Sequence, residues 1–153
     1  MKAYQLLRLM SSFIGHGLAA ATVYAIKVPT RRSLLNLGWL VWLVILAWLP
    51  DIDYAVPSFR SSNHEGLRIT HSCLVSLLLP SLTIVFLYTR QSLRKRQLLW
   101  LSMQAILSGL SHIVLDFWVG VMAYPLLWPL SNAIIKAPIG ILPSSGALSL
   151  SNF

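Results

Sequence analysis

Four long apolar runs constrain the fold of this chain more than any other feature of its sequence. They cover residues 9–26, 34–50, 71–89 and 97–118. Each approaches the roughly 20 residues that an α-helix needs to cross the hydrocarbon core of a bilayer. The pattern predicts an all-α membrane protein, a single integral-membrane domain over residues 1–153 with a bundle of four or five transmembrane helices.

The segment after the fourth run decides between four spans and five. Residues 119–135 are apolar but contain Gly120, Pro125 and Pro129. Because proline kinks or ends a helix, this segment is either a kinked fifth span or a re-entrant segment near the interface. For Pro80, inside the third run, we predict a kink without a break, since neighbouring helices can satisfy the backbone groups that proline frees.

The composition favours a membrane protein over a soluble one. Of the 153 residues, 56% are hydrophobic and 10% are charged, whereas soluble domains carry about 25% charged residues. The 12 Lys and Arg outnumber the 4 Asp and Glu, but they separate apolar runs and form no patch among aromatic residues. We therefore expect contact with membrane lipid and no binding of nucleic acid. The tail from Lys136 onward has no helix or capping signal, which is typical of a fragment or a short form.

Two basic clusters predict the orientation. Residues 27–32 and 90–96 contain most of the Lys and Arg, and two spans separate them, so both clusters lie on one side of the membrane. The positive-inside rule makes that side cytoplasmic. The loop 51–70 then faces outward, although Lys2 and Arg8 also fall on the outer side, against the rule.

The stretch from Leu49 to Ser72, which contains this outward loop, concentrates the acidic residues and histidines of an otherwise apolar and basic chain. Asp51, Asp53 and Glu65 are three of the four acids, and His64 and His71 are two of the four histidines. Carboxylate oxygens and imidazole nitrogens are ligands of divalent metal ions. If the loop is extended at this point, Asp51 and Asp53 point the same way, because side chains alternate with period two.

The remaining acid and histidines lie within predicted spans. His112 and Asp116 share one face of the fourth helix with Gln104 and Ser108, at intervals of four residues. His16 lies in the first run. Ionisable residues are costly within a membrane and usually face a cavity, a partner or a metal. The topology brings these residues and the loop 51–70 to one end of the bundle, which predicts a metal site there.

Each of these residues also has a purely structural interpretation. Asp116 could accept a hydrogen bond from an imidazole or pair with Arg68, and His16 could hydrogen-bond between packed helices. His64 and Glu65 could be solvated loop residues. We interpret Gln104 and Ser108 as interhelical hydrogen-bonding groups. The metal interpretation is favoured because every acid and histidine belongs to the one set.

Four short motifs in this order resemble a known family. They are LPDID at the end of the second run, THS at the start of the third, SHIVLD in the fourth, and PLLWPLS after it. Together they resemble the YdjM-like membrane-bound metal-dependent hydrolases, also described as a LexA-binding inner-membrane family. The resemblance covers the chain from His16 to about Ser131. It implies a protein of the bacterial inner membrane, and the orientation predicted from the two basic clusters places the site of this multi-pass chain on the outer side.

The resemblance also implies a set of metal ligands and a class of reaction. Distant kinship with zinc-dependent phospholipase C and P1-type nucleases suggests phosphoester hydrolysis. Such proteins commonly have a histidine and an arginine five residues before the THS histidine, where this chain has Gly66 and Leu67. His64 and Arg68 lie on either side of that position, so His64 joins the candidates. The candidate ligands are His16, Asp51, Asp53, His64, His71, His112 and Asp116.

The sequence therefore predicts a membrane-bound hydrolase that uses one to three divalent ions. Mixed imidazole and carboxylate ligands suit zinc best, with manganese second. In this hypothesis Asp53 or its partner accepts a proton from the attacking water, and Arg68 contacts the phosphate of a lipid or lipid-linked substrate. The alternatives are a metal-ion transporter and a non-enzymatic membrane protein that recruits a cytoplasmic partner through its basic loop.

Overall fold

A computed structural model describes residues 3–26, 34–56, 68–90, 93–119 and 123–136 of the chain. Within these ranges the fold is all-helical, as predicted, and contains no strand. The four long helices are α1 (Ala3–Ala25), α2 (Leu34–Trp48), α4 (Cys73–Thr89) and α5 (Lys95–Val119); α3 (Ile52–Ala55) is a single turn. Two 3-10 turns, Leu49–Asp51 and Ile69–His71, follow α2 and precede α4.

Helix α5 organises the bundle because it packs against α1, α2 and α4. A small apolar core lies where α1, α2 and α5 meet. Its fully buried members are small or branched: Ala20, Leu43, Leu46, Ala47 and Ala105. By contrast, α2 and α4 make few contacts with each other.

The distribution of polar and apolar residues is the reverse of that in a soluble bundle. Large apolar side chains lie on the outside of the long helices, among them Leu18, Leu78 and Leu99, each more than half exposed. Several polar side chains are buried between the helices. They include His16, Thr83, Gln104, Ser108 and His112.

Only one described helix has the length and hydropathy of a complete span. This is α5, whose 25 residues have the required apolar character. The other apolar helices are shorter, over Phe13–Ala25, Asn36–Asp51 and Cys73–Thr89. The helices lie where the sequence predicts them, whereas the bundle of four or five spans stays a prediction.

Helix α4 continues through Pro80 without a break, as predicted. Proline has no N–H group, so the carbonyl of Ser76 one turn earlier loses its helical partner. Helix α5 approaches this point closely at Gly109. A Cβ atom on Gly109 would lie 2.6 Å from Pro80 Cγ and 2.7 Å from the Ser76 oxygen. The absence of a side chain at Gly109 therefore sets the distance between α4 and α5.

The described part of the apolar segment after α5, residues 123–136, is not helical. Tyr124 forms an isolated antiparallel bridge with Ile135, through N–O distances of 3.0 and 2.9 Å. Between them the chain turns, and the Leu126 carbonyl accepts a hydrogen bond of 3.0 Å from the Cys73 N–H. Pro125 and Pro129 each remove a helical donor. This arrangement is not the kinked helix that one of the two alternatives predicted for these residues, and the re-entrant segment stays a prediction.

Candidate metal centre

Five of the predicted ligands meet at one end of the bundle. His16 comes from α1, Asp51 from the 3-10 turn after α2, His71 from the turn before α4, and His112 and Asp116 from α5. His16, Asp51, His71 and His112 are at least 97% buried, and Asp116 is partly buried. Since they are widely separated in sequence, only the tertiary fold brings them together.

The donor atoms of four of these residues lie close to one another. His112 Nε2 is 3.3 Å from His71 Nε2, 3.4 Å from Asp116 Oδ2 and 3.7 Å from Asp51 Oδ1. His71 Nε2 is 3.5 Å from Asp51 Oδ1 and 3.6 Å from Asp116 Oδ2. Zinc ligands bind at about 2.0–2.2 Å, so two ligands of one ion stand about 3–3.6 Å apart. Four of the five distances lie within that spacing, and the fifth is only slightly longer.

His16 extends the cluster on its α1 side. Its ring stacks on the His112 ring with centroids 3.8 Å apart, and its Nε2 lies 3.2 Å from Asp116 Oδ1. Within the described ranges, two groups of three could each hold an ion: His16 with Asp51 and His112, and His71 with His112 and Asp116. His112 belongs to both groups and lies at the centre of the cluster.

Hydrogen bonds to the outer ring nitrogens orient two of the imidazoles. His112 Nδ1 lies 2.8 Å from the Ala47 carbonyl oxygen, an acceptor, so Nδ1 carries the proton and Nε2 presents a lone pair to the cluster. Thr70 Oγ1 lies 3.0 Å from His71 Nδ1. Such second contacts fix the ring orientation and the tautomer of metal-bound histidines.

Two polar atoms in the cluster are buried and have no hydrogen-bond partner among the residues that the structure describes. They are His16 Nδ1 and Asp51 Oδ2. Buried polar atoms are nearly always paired, and an unpaired one calls for an explanation. A cation held among these residues would explain the Asp51 oxygen directly. The residues present therefore fit a divalent metal ion.

Asp51 and His71 lie in the 3-10 turns outside the long helices, and the surroundings shift both of their pKa values. Burial opposes the ionisation of Asp51, but the hydrogen bond from His71 and the electrostatic effect of the neighbouring His112 ring outweigh it and hold the pKa of Asp51 below its ordinary value. Burial lowers the pKa of His71. An ionised carboxylate and a neutral imidazole are the forms that bind metal.

Asp53 is placed differently from the other predicted ligands. Its carboxylate accepts two hydrogen bonds from Arg68, 2.6 Å from Nε to Oδ2 and 2.8 Å from an Nη to Oδ1. The same Nη lies 3.2 Å from Asp51 Oδ1. The expected extended backbone is wrong here, since Asp51 ends a 3-10 turn and Asp53 lies in α3. The two carboxylates still meet, because Arg68 bridges them.

Tyr124 joins the cluster, although no sequence pattern singles it out. Its hydroxyl donates to Asp116 Oδ2 over 3.0 Å, and its ring is nearly parallel to that of His71, with centroids 5.0 Å apart. It is 96% buried. A tyrosine in an apolar segment of undecided structure carries no spacing signal. The nearest cue is its position directly before Pro125, at the start of the PLLWPLS motif.

Gln104 and Ser108, which share a face of α5 with His112 and Asp116, form hydrogen bonds between helices, as predicted. Gln104 accepts a hydrogen bond from Trp39 and donates to the carbonyl oxygens of Val23 and Tyr24. Ser108 donates to the Leu43 carbonyl over 2.6 Å. The predicted positions His64 and Glu65 lie outside the described residues.

Fold and site together define a class of protein: an all-helical protein with an apolar exterior and a buried cluster of histidine and aspartate at one end. Comparison with known families assigns the chain within that class. It belongs to the YdjM inner membrane protein family, whose model matches residues 10–152. The resemblance noted from the four motifs is thereby confirmed. Neither the curated proteins nor the solved structures provide a match.

Proposed function

We propose that this protein is a metal-dependent hydrolase of the inner membrane that cleaves a phosphoester. The observation that carries the proposal is the cluster of buried donors around His112, with spacings of 3.3 to 3.7 Å. Mixed nitrogen and oxygen ligands favour zinc, with manganese second. The ligands we propose are His16, Asp51, His71, His112 and Asp116.

The charge of the cluster supports a bound cation. Three negative charges come from the carboxylates of Asp51, Asp53 and Asp116, and Arg68 contributes one positive charge. With neutral histidines, these four described side chains together carry a net charge of −2 in a largely buried space. Buried charges are costly unless they are paired or coordinate a metal. A single divalent ion would neutralise the cluster.

The proposed chemistry divides the work among the residues. A bound divalent ion would lower the pKa of a water molecule and stabilise negative charge on the phosphate. Arg68, beside Asp51, would bind a phosphate oxygen, for which its planar guanidinium is suited. Asp53 holds that guanidinium by two hydrogen bonds. We therefore assign to Asp53 the role of positioning Arg68. The proton of the attacking water would go to a carboxylate of Asp51 or Asp53.

We further propose that all four long helices cross the membrane. The exposed apolar side chains lie on every one of them, including Leu37 on α2 and Leu82 on α4. The two shorter helices, α2 with 15 residues and α4 with 17, are about 22–26 Å long, which approaches the roughly 30 Å thickness of the hydrocarbon core. With the basic loop 90–96 on the cytoplasmic side, the cluster faces the outer leaflet. That location favours a lipid or lipid-linked phosphate as substrate.

An ion transporter would use the same ligands but would need a polar path to them. Gln104 and Ser108 are the residues of α5 that such a path would use. Both are engaged in hydrogen bonds to neighbouring helices. Their engagement argues against the transporter alternative.

Metal analysis of the detergent-purified protein tests the proposal. We expect bound zinc or manganese in the wild type and its loss in Asp51→Asn and His112→Ala. Ser108→Ala is a matched control, since it changes a buried polar residue one turn before His112 and should keep the metal. Absence of metal from the wild type, with no affinity on adding it back, would overturn the proposal.

Activity then separates the enzyme from the alternatives. The metal-loaded protein should hydrolyse a phosphodiester or a phospholipid, and Arg68→Lys, which keeps a positive charge beside Asp53 but loses the planar guanidinium, should lose most of that activity while keeping the metal. If the loaded protein cleaves neither substrate while proteoliposomes accumulate the ion, the protein is a transporter. If it binds no metal but retains a cytoplasmic partner, the non-enzymatic alternative holds.

A further inference from the structure

An apolar groove of about 450 Å³ lies between α2 and α4, at the opposite end of the bundle from the metal centre. Its α2 side is formed by Gly38, Trp39 and Trp42, near the start of that helix. Leu82 and Phe86, near the end of α4, form the other side and are both more than half exposed. The groove therefore opens on the apolar exterior of the bundle.

Hydrogen bonds fix the two tryptophans that line the groove. Trp42 donates to Thr83 Oγ1 over 3.1 Å, and this bond joins α2 to α4. Trp39 donates to the Gln104 side chain over 2.9 Å, which joins α2 to α5. Both rings are held in place by their polar atoms and present apolar surface to the groove. The groove is thus built into the fold of the bundle.

The positively charged side chain of Arg90 lies at the mouth of the groove. The Arg90 guanidinium carbon stands 4.8 Å from the centroid of the Phe86 ring, a cation–π contact with a wall residue. Arg94, Lys95 and Arg96 follow at the same end and are exposed. The acidic side chains that the structure describes all belong to the metal centre at the other end. The mouth of the groove is therefore strongly positive.

We propose that this groove binds an anionic phospholipid, with one acyl chain between α2 and α4 and the phosphate on Arg90. An apolar trough ending at an arginine matches the two parts of such a lipid, since guanidinium pairs readily with phosphate. The site rests on the proposed membrane embedding but not on the metal centre. A phospholipid without net charge would fill the groove equally well, but its headgroup would be attracted less strongly to Arg90 at the mouth.

Gly38 offers a direct way to block the groove. A Cβ atom at Gly38 would meet no heavy atom within 4 Å, so the side chain of Gly38→Leu begins in open space, and we expect it to fill the groove. Gly15 on α1 also has open space around its Cβ and does not line the groove, so Gly15→Leu is the matched control. For the headgroup, Arg90→Gln is compared with Arg96→Gln, which removes the same charge from the same end.

The test is native mass spectrometry of the purified protein with phosphatidylglycerol and phosphatidylcholine of identical acyl chains. It measures both the binding of the acyl chain in the groove and the preference for an anionic headgroup. The wild type should retain phosphatidylglycerol preferentially, and Arg90→Gln should reduce that preference roughly fivefold, the effect of one basic residue at an anionic lipid surface. Gly38→Leu should reduce the binding of both lipids. Gly15→Leu and Arg96→Gln should resemble the wild type.

Three results would overturn this assignment. They are equal retention of the two lipids by the wild type, equal binding by Gly38→Leu and Gly15→Leu, and conversion of a dimeric protein to a monomer by Gly38→Leu. The last would show that a second copy of the chain occupies the groove. Metal content, measured on the same samples, should not change in any of these variants. The metal content of these samples tests the proposed metal centre independently of lipid binding.

Discussion

Arg68 and Asp53 form a two-pronged ion pair beside the candidate metal centre, with Nε to Oδ2 at 2.6 Å and Nη to Oδ1 at 2.8 Å. The Asp53 side chain is fully buried and that of Arg68 is 11% exposed. The pair thus links α3 to the chain before α4, across the two ends of the loop. Because Arg68 also reaches Asp51, it ties a structural carboxylate to a proposed metal ligand.

Removal of Arg68 should therefore destabilise the protein strongly. Arg68→Met removes the guanidinium that holds the buried Asp53 carboxylate by two hydrogen bonds, and breaking a buried ion pair costs about 3–5 kcal/mol. We expect a lower thermal unfolding midpoint in detergent, and partial recovery in the double variant Arg68→Met/Asp53→Leu, which removes both partners of the pair. Arg96→Met, at an exposed position, is the control. Equal midpoints for the two arginine variants would contradict this role of the ion pair.

Tyr124 should affect metal binding through its hydroxyl. Tyr124→Phe keeps the ring against His71 but loses the hydrogen bond to Asp116 Oδ2. Residues that orient metal ligands typically contribute 10- to 100-fold in affinity, so we expect zinc affinity to fall by about tenfold. Competition with a chelating dye measures it. The control is Tyr88→Phe at an exposed position, and identical affinities in the two variants would exclude this positioning role.

The sequence predicted the helices and the meeting of the polar residues because both depend on long-range regularities. Apolar runs of about 20 residues leave little choice but a helix in a membrane. The interval of four residues fixes Ser108, His112 and Asp116 on one face of α5. Helix lengths then bring that face near the loop of Asp51 and His71. None of these steps requires knowledge of side-chain packing.

Two features of the site depend on side-chain packing and could not be predicted from the sequence. The pairing of Asp53 with Arg68 depends on the path of the chain between α3 and α4, which no periodicity specifies. The position of Tyr124 depends on a bridge to Ile135 and on the hydrogen bond between Cys73 and Leu126. A sequence with two prolines in an apolar segment is compatible with several such paths. Tertiary contacts select one of them.

Cys73 provides a test of the proposed orientation. It lies two residues after His71 at the start of α4, is partly exposed, and is the only cysteine in the chain. We expect a membrane-impermeant thiol reagent to label it from the outer side of the membrane. Cys73→Ser combined with Arg96→Cys should move the labelling to the cytoplasmic side. Labelling of native Cys73 from the cytoplasmic side alone would reverse the topology and the proposed access of substrate.

Gly109 tests the packing that carries His112 into the metal centre. In Gly109→Ala the new methyl group would meet the Pro80 ring at 2.6 Å and the Ser76 carbonyl at 2.7 Å. Neither is the end of a flexible side chain, so the helices must separate, at a cost of about 1–3 kcal/mol. Because His112 lies one turn further along α5, this separation should also weaken metal binding.

Thermal unfolding in detergent and metal content, measured on the same preparations, check both effects of Gly109→Ala. Gly15→Ala is the control, since its methyl group meets nothing within 4 Å, and alanine is favoured over glycine in a helix by about 1 kcal/mol. The control should therefore be as stable as the wild type or more so and should keep its metal. If Gly109→Ala behaves like Gly15→Ala in both measurements, the close approach of α4 and α5 does not position His112.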